Sequence, residues 1–356
     1  MGPKNNTKLQ TPVRVLAWPA FKNKKQNPYN WLLYSHMSRE DASVEEFSVK
    51  KLLFETYDVL HIHWPEWQIS HESFILSSLR FIRLLLILDI ARFKKTRIVW
   101  TVHNLADHEK YHKKLAARFW ISLIKRLDGF ISLSSTGKDQ ALRHFPSLCT
   151  IQSCIIPHGH YRDVYPNNIG FSSARDLLNI PLNTKVLLFF GLIRPYKNVI
   201  ELINVFKKLA DQNLMLLIAG KPHSTQLSTE IKEAAFDDTR IRLYLDFMDE
   251  SQLQTFFNSS NLVIFPFEEN LNSGSALLAL SFNRPILVPE VGSFTELQTM
   301  VGKAWVNIYS NRINPKLIEE CLDSISVEDV YKNAPLSGLS WEKIAKDTAL
   351  FFKTIV

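Results

Sequence analysis

Cysteine is scarce in this chain of 356 residues, and the three cysteines form no recognisable pattern. Cys149, Cys154 and Cys321 have neither the even count of a disulfide framework nor the paired spacing of a zinc site. Cys149 and Cys154 lie close together in an apolar segment, which favours buried thiols. We therefore expect a protein of a reducing compartment.

The sequence also lacks a secretory signal and a long hydrophobic run. The first ten residues are polar, with no apolar core of a signal peptide. The longest apolar stretch, residues 81–90, is interrupted by Arg83 and Asp89, so it is too short and too charged to cross a bilayer. These absences predict a cytoplasmic protein, with peripheral attachment to the inner face of the cell membrane kept as an option.

Basic residues moderately outnumber acidic ones, with 42 Lys and Arg against 35 Asp and Glu and a net charge of +7. Such an excess fits a nucleotide or phosphate ligand, an anionic membrane surface or nucleic acid, or simply a solubilising charge. No nucleic-acid module is evident, so we expect no nucleic-acid partner. No Gly-x-Gly-x-x-Gly follows the first strand pattern at Trp18, which argues against a nicotinamide enzyme. We expect no cofactor.

Buried-strand patterns alternate with helical patterns in two groups along the chain. The predicted strands are 13–18, 59–64, 97–102, 129–133 and 154–157 in the first group, and 186–190, 214–219, 241–245, 262–265 and 285–288 in the second. This alternation predicts an α/β fold with two parallel sheets, each covered by helices on both faces. The length likewise favours two domains. A final amphipathic helix is predicted over 341–355.

The most informative motif is a strand, a glycine and two cations before a helical pattern. The apolar run 186–190 ends at Gly191, and Arg194 and Lys197 follow. A turn of this kind at a helix start commonly holds phosphate. A second turn of anion-binding type, residues 272–275, occurs downstream, and the two together predict a bound diphosphate. The alternative is that the two cations cap a surface loop.

Polar residues also follow several other predicted strands, where ligands of open parallel sheets bind. In the second group these are Gly220 with Lys221, residues 246–248, and residues 268–275. In the first group they are His61, His63, Trp64, Thr101, His103, Asn104, Ser134, Ser135, His158, Gly159 and His160, with Asp107 and Glu109 close behind.

Several chemical roles are open for these residues. His103 could act as a general base or bind a sugar hydroxyl, with Asp107 and Glu109 as rivals. Trp18, Trp64 and Trp67 could present aromatic faces to sugar rings or belong to the core. His61 and His63 face the same side of a strand, but no third ligand accompanies them at a telling spacing, so no metal site is expected.

Two stretches combine apolar and basic residues at helical spacing, 74–95 and 110–126. Amphipathic basic helices can lie on anionic membranes. A core helix with a solvated cationic face is the somewhat stronger interpretation.

The two Rossmann-like halves, the turn 191–198 and the segment 266–285 together resemble the GT-B glycosyltransferases. The likeness is closest to the retaining family 4 and its bacterial exopolysaccharide relatives. In that family a Gly-Arg-x-x-x-Lys-type turn binds the donor diphosphate. Here Arg194 and Lys197 occupy it with one fewer residue between them, and His103 stands where family members carry a histidine facing the reacting sugar.

The chain departs from the family at a pair of glutamates. Leu278 stands where the second glutamate belongs, and Asn270 where the first does, with Glu268 and Glu269 nearby. The second glutamate usually holds the nucleotide ribose, so that contact is expected to differ here.

The resemblance implies an acceptor-binding domain over 1–168, a nucleotide-sugar-binding domain over 169–338, and a C-terminal helix over 339–356 that crosses back to the first domain. It implies a metal-independent hexosyltransferase that uses GDP-mannose, or next a UDP-hexose, and a lipid-linked or polysaccharide acceptor. A nucleotide-sugar epimerase and a non-catalytic GT-B subunit are the alternatives.

The implied site residues fall into four groups. They are His103, Asp107 and Glu109 for catalysis; Gly191, Arg194, Lys197, Ser273, Gly274 and Ser275 for the donor diphosphate; Gly220, Phe247, Glu268, Glu269 and Asn270 for the donor sugar and nucleotide; and Trp18, His63, Trp64, Ser134, His158 and His160 for the acceptor.

Overall fold

The chain folds into two compact units, described by a computed structural model that covers residues 11–105, 112–325 and 332–356. One unit comprises Met1–Gly159 and Leu339–Val356, and the other comprises His160–Gly338. The first unit ends at Gly159, compared with the expected residue 168. The C-terminal segment belongs to the first unit.

The first unit is built on a six-stranded parallel sheet with the order β2-β1-β3-β4-β5-β6. Its strands are β1 Val13–Trp18, β2 Ala42–Glu46, β3 Val59–His63, β4 Arg97–Val102, β5 Gly129–Ser132 and β6 Gln152–Ile155. Its helices are α1 Tyr29–Ser35, α2 Val49–Phe54, α3 Phe74–Phe93, α4 Lys113–Ile124, α5 Ser135–His144 and the C-terminal helix, here α13, Trp341–Ile355.

The second unit repeats this plan with the strand order β12-β11-β10-β7-β8-β9. Its strands are β7 Lys185–Phe190, β8 Leu214–Ala219, β9 Ile241–Tyr244, β10 Leu262–Ile264, β11 Ile286–Pro289 and β12 Val306–Tyr309. Its helices are α6 Phe171–Leu177, α7 Val199–Phe206, α8 Thr225–Ala235, α9 Leu253–Ser259, α10 Gly274–Ser281, α11 Phe294–Val301 and α12 Pro315–Ser324. The prediction of two doubly wound parallel α/β sheets is confirmed.

Strand burial explains why the central strands were visible in the sequence and the edge strands β2 and β12 were not. Every residue of β8 is buried and apolar, and β3 is equally buried although two of its five residues are histidines. The edge strand β2 has only its first residue buried and carries two glutamates, and β12 buries only its two end residues. The other two edge strands, β6 and β9, were among the predicted strands, whereas β2 and β12 lack the continuous apolar run that marks a central parallel strand.

Each sheet has one point at which the strand order reverses. It lies between β1 and β3 in the first unit and between β7 and β10 in the second. On the two sides of such a point, the helices that follow the strands pack on opposite faces of the sheet. A crevice therefore opens beyond the carboxyl ends of the two strands. His63 ends β3, and Gly191 directly follows β7. The switch points thus fall at two of the predicted motifs.

The C-terminal helix α13 packs on the first unit through rings and an ion pair. Trp341 lies edge-on to Tyr29 with ring centroids 5.3 Å apart, and Phe352 packs against His61 at 5.0 Å. At the far end Lys353 Nζ lies 2.6 Å from a carboxylate oxygen of Asp41. The helix is therefore part of the wall behind the β1 and β3 strand ends.

Helix α3 exposes an apolar stripe instead of burying it. Ile75, Leu79, Ile82 and Leu86 recur at helical spacing and are all more than half exposed, and Phe93 is 89% exposed. Within the described ranges, no helix is long and apolar enough to cross a membrane. An exposed stripe of this length on a water-facing helix calls for an explanation.

The segment between the two sheets, residues 166–184, is packed rather than linker-like. Arg175 on α6 is completely buried. Its guanidinium donates to the carbonyls of Ser259, Pro181, Leu182 and Thr184 and to the side-chain oxygen of Asn261, at 2.7–3.1 Å. One side chain thus donates hydrogen bonds to several backbone carbonyls where α6, α9 and β7 meet.

Replacing Arg175 by leucine should destabilise the protein by about 3 kcal/mol or more, because several buried carbonyls lose their donor at once. Urea unfolding would measure the change. The same replacement at the exposed Arg143 serves as control and should change the free energy of unfolding by less than about 0.5 kcal/mol. Equal effects at the two positions would contradict this role of Arg175.

Candidate functional site

The turn after β7 brings the backbones of two strand ends into contact. Gly191 has φ +116°, and its N–H donates to the carbonyl of Ala219 at 3.0 Å. Gly220 has φ +150°, and a Cβ there would lie 2.0 Å from the Gly191 carbonyl oxygen. Because there is no room for a side chain at position 220, only glycine there lets the two strand ends approach so closely.

Lys197 carries a buried charge at this turn. The residue is 9% exposed, and its Nζ lies 5.2 Å from the ring centroid of Phe267. Within residues 11–105, 112–325 and 332–356 its ammonium has no carboxylate partner and no hydrogen-bond acceptor. Burial, together with the nearby Arg194 guanidinium, lowers the pKa of Lys197 to about 8. An anion placed beside it would favour the charged form.

The start of α10 meets Lys197 above Gly191. A Cβ built on Gly191 would lie 2.9 Å from Ser275 Oγ and 3.6 Å from Lys197 Nζ, so these two groups share the space over the glycine. The Ser273 hydroxyl caps the helix by accepting from the Ala276 N–H at 3.2 Å. The N–H groups of Gly274 and Ser275 lie in the first turn and have no acceptor within the helix. Their dipoles favour an anion.

The remaining predicted donor residues lie on loops near this turn. Glu268 and Glu269 are exposed, and the Glu268 N–H donates to the Tyr196 carbonyl at 2.9 Å. Asn270 packs its backbone against Gly292. Phe247 is largely exposed in the loop after β9. The structure thus places these side chains beyond strand ends of one sheet edge without joining them in direct contacts.

Two cavities of about 310 Å³ each flank the 191–198 turn. One is lined by Arg194, Ser224 and Glu230, among others, and the other by Glu268 and Arg312. This volume is at the lower end for pockets that hold small molecules. Leu278, by contrast, is buried within α10, and its side chain cannot accept a hydrogen bond from a ribose.

The first unit gathers three histidines into one hydrogen-bonded row. We call it the hydroxyl–imidazole chain, and its members in order are Thr101, His61, Tyr34, His63 and His103. Thr101 Oγ1 lies 2.8 Å from His61 Nε2, and His61 Nδ1 lies 2.8 Å from the Tyr34 hydroxyl. That hydroxyl lies 2.7 Å from His63 Nε2, and His63 Nδ1 lies 2.9 Å from His103 Nε2.

Burial keeps these imidazoles neutral. It lowers the pKa of His61 to about 3 and that of the neighbouring His158 to about 4. Burial, and then the neighbouring imidazoles, hold the pKa of His63 and His103 well below their usual range. The Tyr34 phenol keeps its proton because burial raises its pKa. The row therefore consists of uncharged groups at neutral pH.

Aromatic rings fix His103 at the open end of the row. Its imidazole stacks on Trp64 with centroids 4.1 Å apart and rings 18° from parallel, and Trp64 stacks on Trp67 at 5.0 Å. Tyr29 contacts His103 and His158 edge-on at 4.8 and 4.9 Å. His103 itself is partly exposed just beyond β4. It is thus a positioned imidazole that a ligand can reach.

The other predicted residues of the first unit have more ordinary placements. Trp18 stacks on Phe47 at 4.1 Å. Ser134 caps α5 by accepting from the Gly137 N–H at 2.9 Å, so its hydroxyl has a structural role. His160 belongs to the second unit. Asp107 and Glu109 lie outside the described residues.

Tyr34 is the member of the site that the sequence interpretation missed, and Thr101 was named there only as a polar residue at a strand end, without its histidine partner. They connect to the histidines over 27 to 40 residues of sequence, which no local pattern reveals. The spacing of His61 and His63 on β3 was the available signal. Among the described residues, no group of three or more His, Cys, Asp or Glu side chains is placed to hold a metal ion.

Comparison with known proteins decides the family. The model of "Glycosyl transferases group 1" matches residues 171–317. A GDP-mannose:glycolipid 4-beta-D-mannosyltransferase of Xanthomonas campestris pv. campestris is 32% identical over 335 residues, which span 94% of this chain and 90% of that protein. The chain belongs to the group 1 glycosyltransferases. The prediction of a hexosyltransferase is therefore confirmed.

Solved structures bear out the GT-B fold of this glycosyltransferase. A glycosyltransferase from Rickettsia africae matches with a TM-score of 0.67 at 12% identity, covering 97% of this chain and 99% of that one. Anabaena HepE in complex with UDP matches with a TM-score of 0.64 at 12% identity, covering 96% and 100%. At such low identity the likeness shows the fold alone.

The affinity for nucleoside diphosphates should fall as the pH rises through about 8. The Lys197 pKa is lowered to about 8, so the ammonium is charged at pH 7 and loses its proton above pH 8. If the charged form is the one that binds, GDP or UDP should bind up to about tenfold more weakly at pH 9 than at pH 7. Isothermal calorimetry would measure both affinities.

The Lys197→Met variant is the control for this pH dependence. It should bind weakly at both pH values, because it has no ammonium to titrate. A wild-type affinity that stays constant from pH 7 to pH 9 would contradict the role of Lys197.

Proposed function

We propose that this glycosyltransferase transfers mannose from GDP-mannose to a hydroxyl group of a glycolipid. The activity for which the Xanthomonas relative is named supports both the donor and the acceptor class, and the match runs through both units. The observation that carries the proposal is the buried Lys197 ammonium beside Arg194, at the sheet switch point and the α10 N-terminus.

These groups fit the departure of a nucleoside diphosphate. In the transfer, the bond between the anomeric carbon and a diphosphate oxygen breaks, and negative charge grows on that oxygen. Lys197, Arg194 and the first N–H groups of α10 would stabilise this charge, and each charge-assisted hydrogen bond contributes about 1.5–3 kcal/mol. Because Lys197 is already buried, little reorganisation is needed when the charge appears.

The stereochemistry of the relative's product implies a single displacement. GDP-mannose holds its sugar through an α bond, and a β-linked product requires inversion at the anomeric carbon. The acceptor oxygen would then form the new bond from the opposite face while its proton goes to a base. Inversion differs from the retaining outcome typical of family 4. With Leu278 in place of the second glutamate, ribose binding would rely on other residues of the donor loops.

Removing either cation should reduce turnover at least about tenfold. Arg194→Ala and Lys197→Met each remove one charge that stabilises the leaving group. The assay is mannosyl transfer from GDP-mannose to a glycolipid extract, with the product resolved by mass spectrometry. Lys208→Met, an exposed lysine of the same unit, is the matched control and should retain normal turnover.

Two outcomes would contradict the proposal. Normal rates in both cation variants would reject the diphosphate site, and equal use of UDP-glucose would reject GDP-mannose as the preferred donor.

The exposed stripe of α3 supports a membrane-bound acceptor. Exposed cations lie on α3, just after it and on α4, namely Arg83, Arg92, Lys95, Lys113, Lys114 and Arg118. Apolar side chains beside basic ones suit the interface of an anionic bilayer, where the apolar side chains reach the acyl chains and the cations contact the anionic headgroups. The first unit would thus rest on the membrane that holds the glycolipid.

Sedimentation with lipid vesicles tests this surface. The wild type should bind vesicles containing phosphatidylglycerol and bind purely zwitterionic vesicles much less. Changing Leu79 and Ile82 together to serine should weaken binding at least about tenfold, because two side chains leave the interface. Phe236→Ser, at an even more exposed apolar position of the second unit, should bind like the wild type. Wild-type binding by the double variant would refute the docking face.

A further inference from the structure

The number of mobile protons in the hydroxyl–imidazole chain is fixed. Each of its five members is neutral and carries one mobile proton: one on each hydroxyl and one on each imidazole. Four hydrogen bonds connect the five groups. Four protons therefore occupy the bonds, and the fifth must lie at one end of the row.

The Tyr34 hydroxyl makes the row directional. Its oxygen is within hydrogen-bond distance of both His61 Nδ1 and His63 Nε2, but it has a single proton. It donates to one imidazole and accepts from the other. Because each neutral imidazole also donates through one nitrogen and accepts through the other, the choice at Tyr34 sets every bond in the row.

Only two arrangements make all four bonds. In the first, protons point from Thr101 towards His103, and the surplus proton sits on His103 Nδ1. In the second they point the other way, His103 donates from Nε2 to His63, and the surplus proton sits on the Thr101 hydroxyl. The two arrangements give His103 opposite characters, because Nδ1 is a donor in the first and an acceptor in the second.

The buried end of the row distinguishes the two proton arrangements. Thr101 is fully buried, and its hydroxyl has no hydrogen-bond partner other than His61 in the part of the chain that the structure describes. In the second arrangement its proton would have no acceptor, and an unmade bond of a buried hydroxyl favours the first arrangement by about tenfold or more. At the opposite end His103 is partly exposed, so a proton on Nδ1 can reach solvent or a ligand.

We propose that the Thr101 hydroxyl, acting through the hydroxyl–imidazole chain, holds His103 as the Nδ1–H tautomer, which donates a hydrogen bond to an oxygen of a sugar substrate. His61, Tyr34 and His63 are then positioning residues. His103 orients the sugar and does not take the acceptor proton, so the base of the transfer is another group. The donor role towards a sugar rests on the proposed function, whereas the tautomer is a property of the free protein.

Nitrogen NMR of the ligand-free protein tests the tautomer. In protein labelled with ¹⁵N-histidine, two-bond ¹H–¹⁵N spectra distinguish Nδ1–H from Nε2–H, and loss of signals in His103→Gln assigns the ring. At pH 7.5 the wild-type His103 should be at least about 90% Nδ1–H, as expected from a tenfold preference. A wild-type ring that is mainly Nε2–H would overturn the proposal.

Paired variants test the coupling along the row. Thr101→Val removes the anchoring proton and Tyr34→Phe interrupts the row, so each should turn His103 into a mixture of tautomers. Thr101→Ser keeps the hydroxyl and should restore the wild-type spectrum. Tyr57→Phe removes a hydroxyl from a buried tyrosine of the first unit that lies outside the row and donates to Glu55, and it should leave the tautomer unchanged. An unchanged tautomer in folded Tyr34→Phe, confirmed by thermal melting, would refute the coupling.

Activity separates this proposal from the proposed function. Tyr34→Phe should lower kcat/KM for GDP-mannose about twofold, since His103 then donates only about half of the time, while Tyr57→Phe should not. If the spectra behave as expected but no mannosyl transfer occurs with any variant, the tautomer stands and the proposed donor and acceptor fail. If Tyr34→Phe transfers at the wild-type rate despite a mixed tautomer, the donor role of His103 fails.

Discussion

The buried ammonium of Lys197 constrains the whole carboxyl edge of the second unit. A charge in so little solvent is unfavourable, and the positive Arg194 beside it adds to the cost. The fold nevertheless keeps both cations at the end of β7, next to the first turn of α10. Gly220 allows the strand ends to close up, and Gly191 leaves room for the Ser275 hydroxyl. An anion bound at this turn would offset the repulsion, and the turn, the glycines and the helix start together leave room for one.

The strand ends of the first unit carry neutral groups instead of buried cations. Its β1 and β3 strand ends carry imidazoles, a phenol and indoles, and burial keeps these histidines uncharged. Hydrogen bonds between neutral groups can give direction to a ring without placing charge near the acceptor. The roles proposed for the two units thus differ, electrostatic in one and orientational in the other, although the units share the same doubly wound plan.

Local patterns predicted the elements whose signal is continuous in sequence. The run before Gly191, the central strands and the helix over 341–355 all show apolar periodicity that burial on a sheet imposes. The edge strand β2 escaped because it is half polar. Ser134 and Ser273 illustrate a second limit, since a serine after a strand can bind a ligand or cap the next helix, and here both hydroxyls cap helices. The partners of His61 were invisible because they come from α1 and β4, far away in sequence.

The packing of α13 ties the end of the chain to the centre of the first unit. Phe352 covers His61, and Trp341 covers Tyr29, so unfolding this unit would release buried imidazoles into water. A free histidine takes up a proton near pH 6.5, whereas His61 in the folded chain does so only near pH 3 and His158 near pH 4. Mild acid therefore draws protons to the unfolded chain and removes stability from this unit as the pH falls below 6.5. The buried histidines of the first unit thus contribute to its loss of stability in acid.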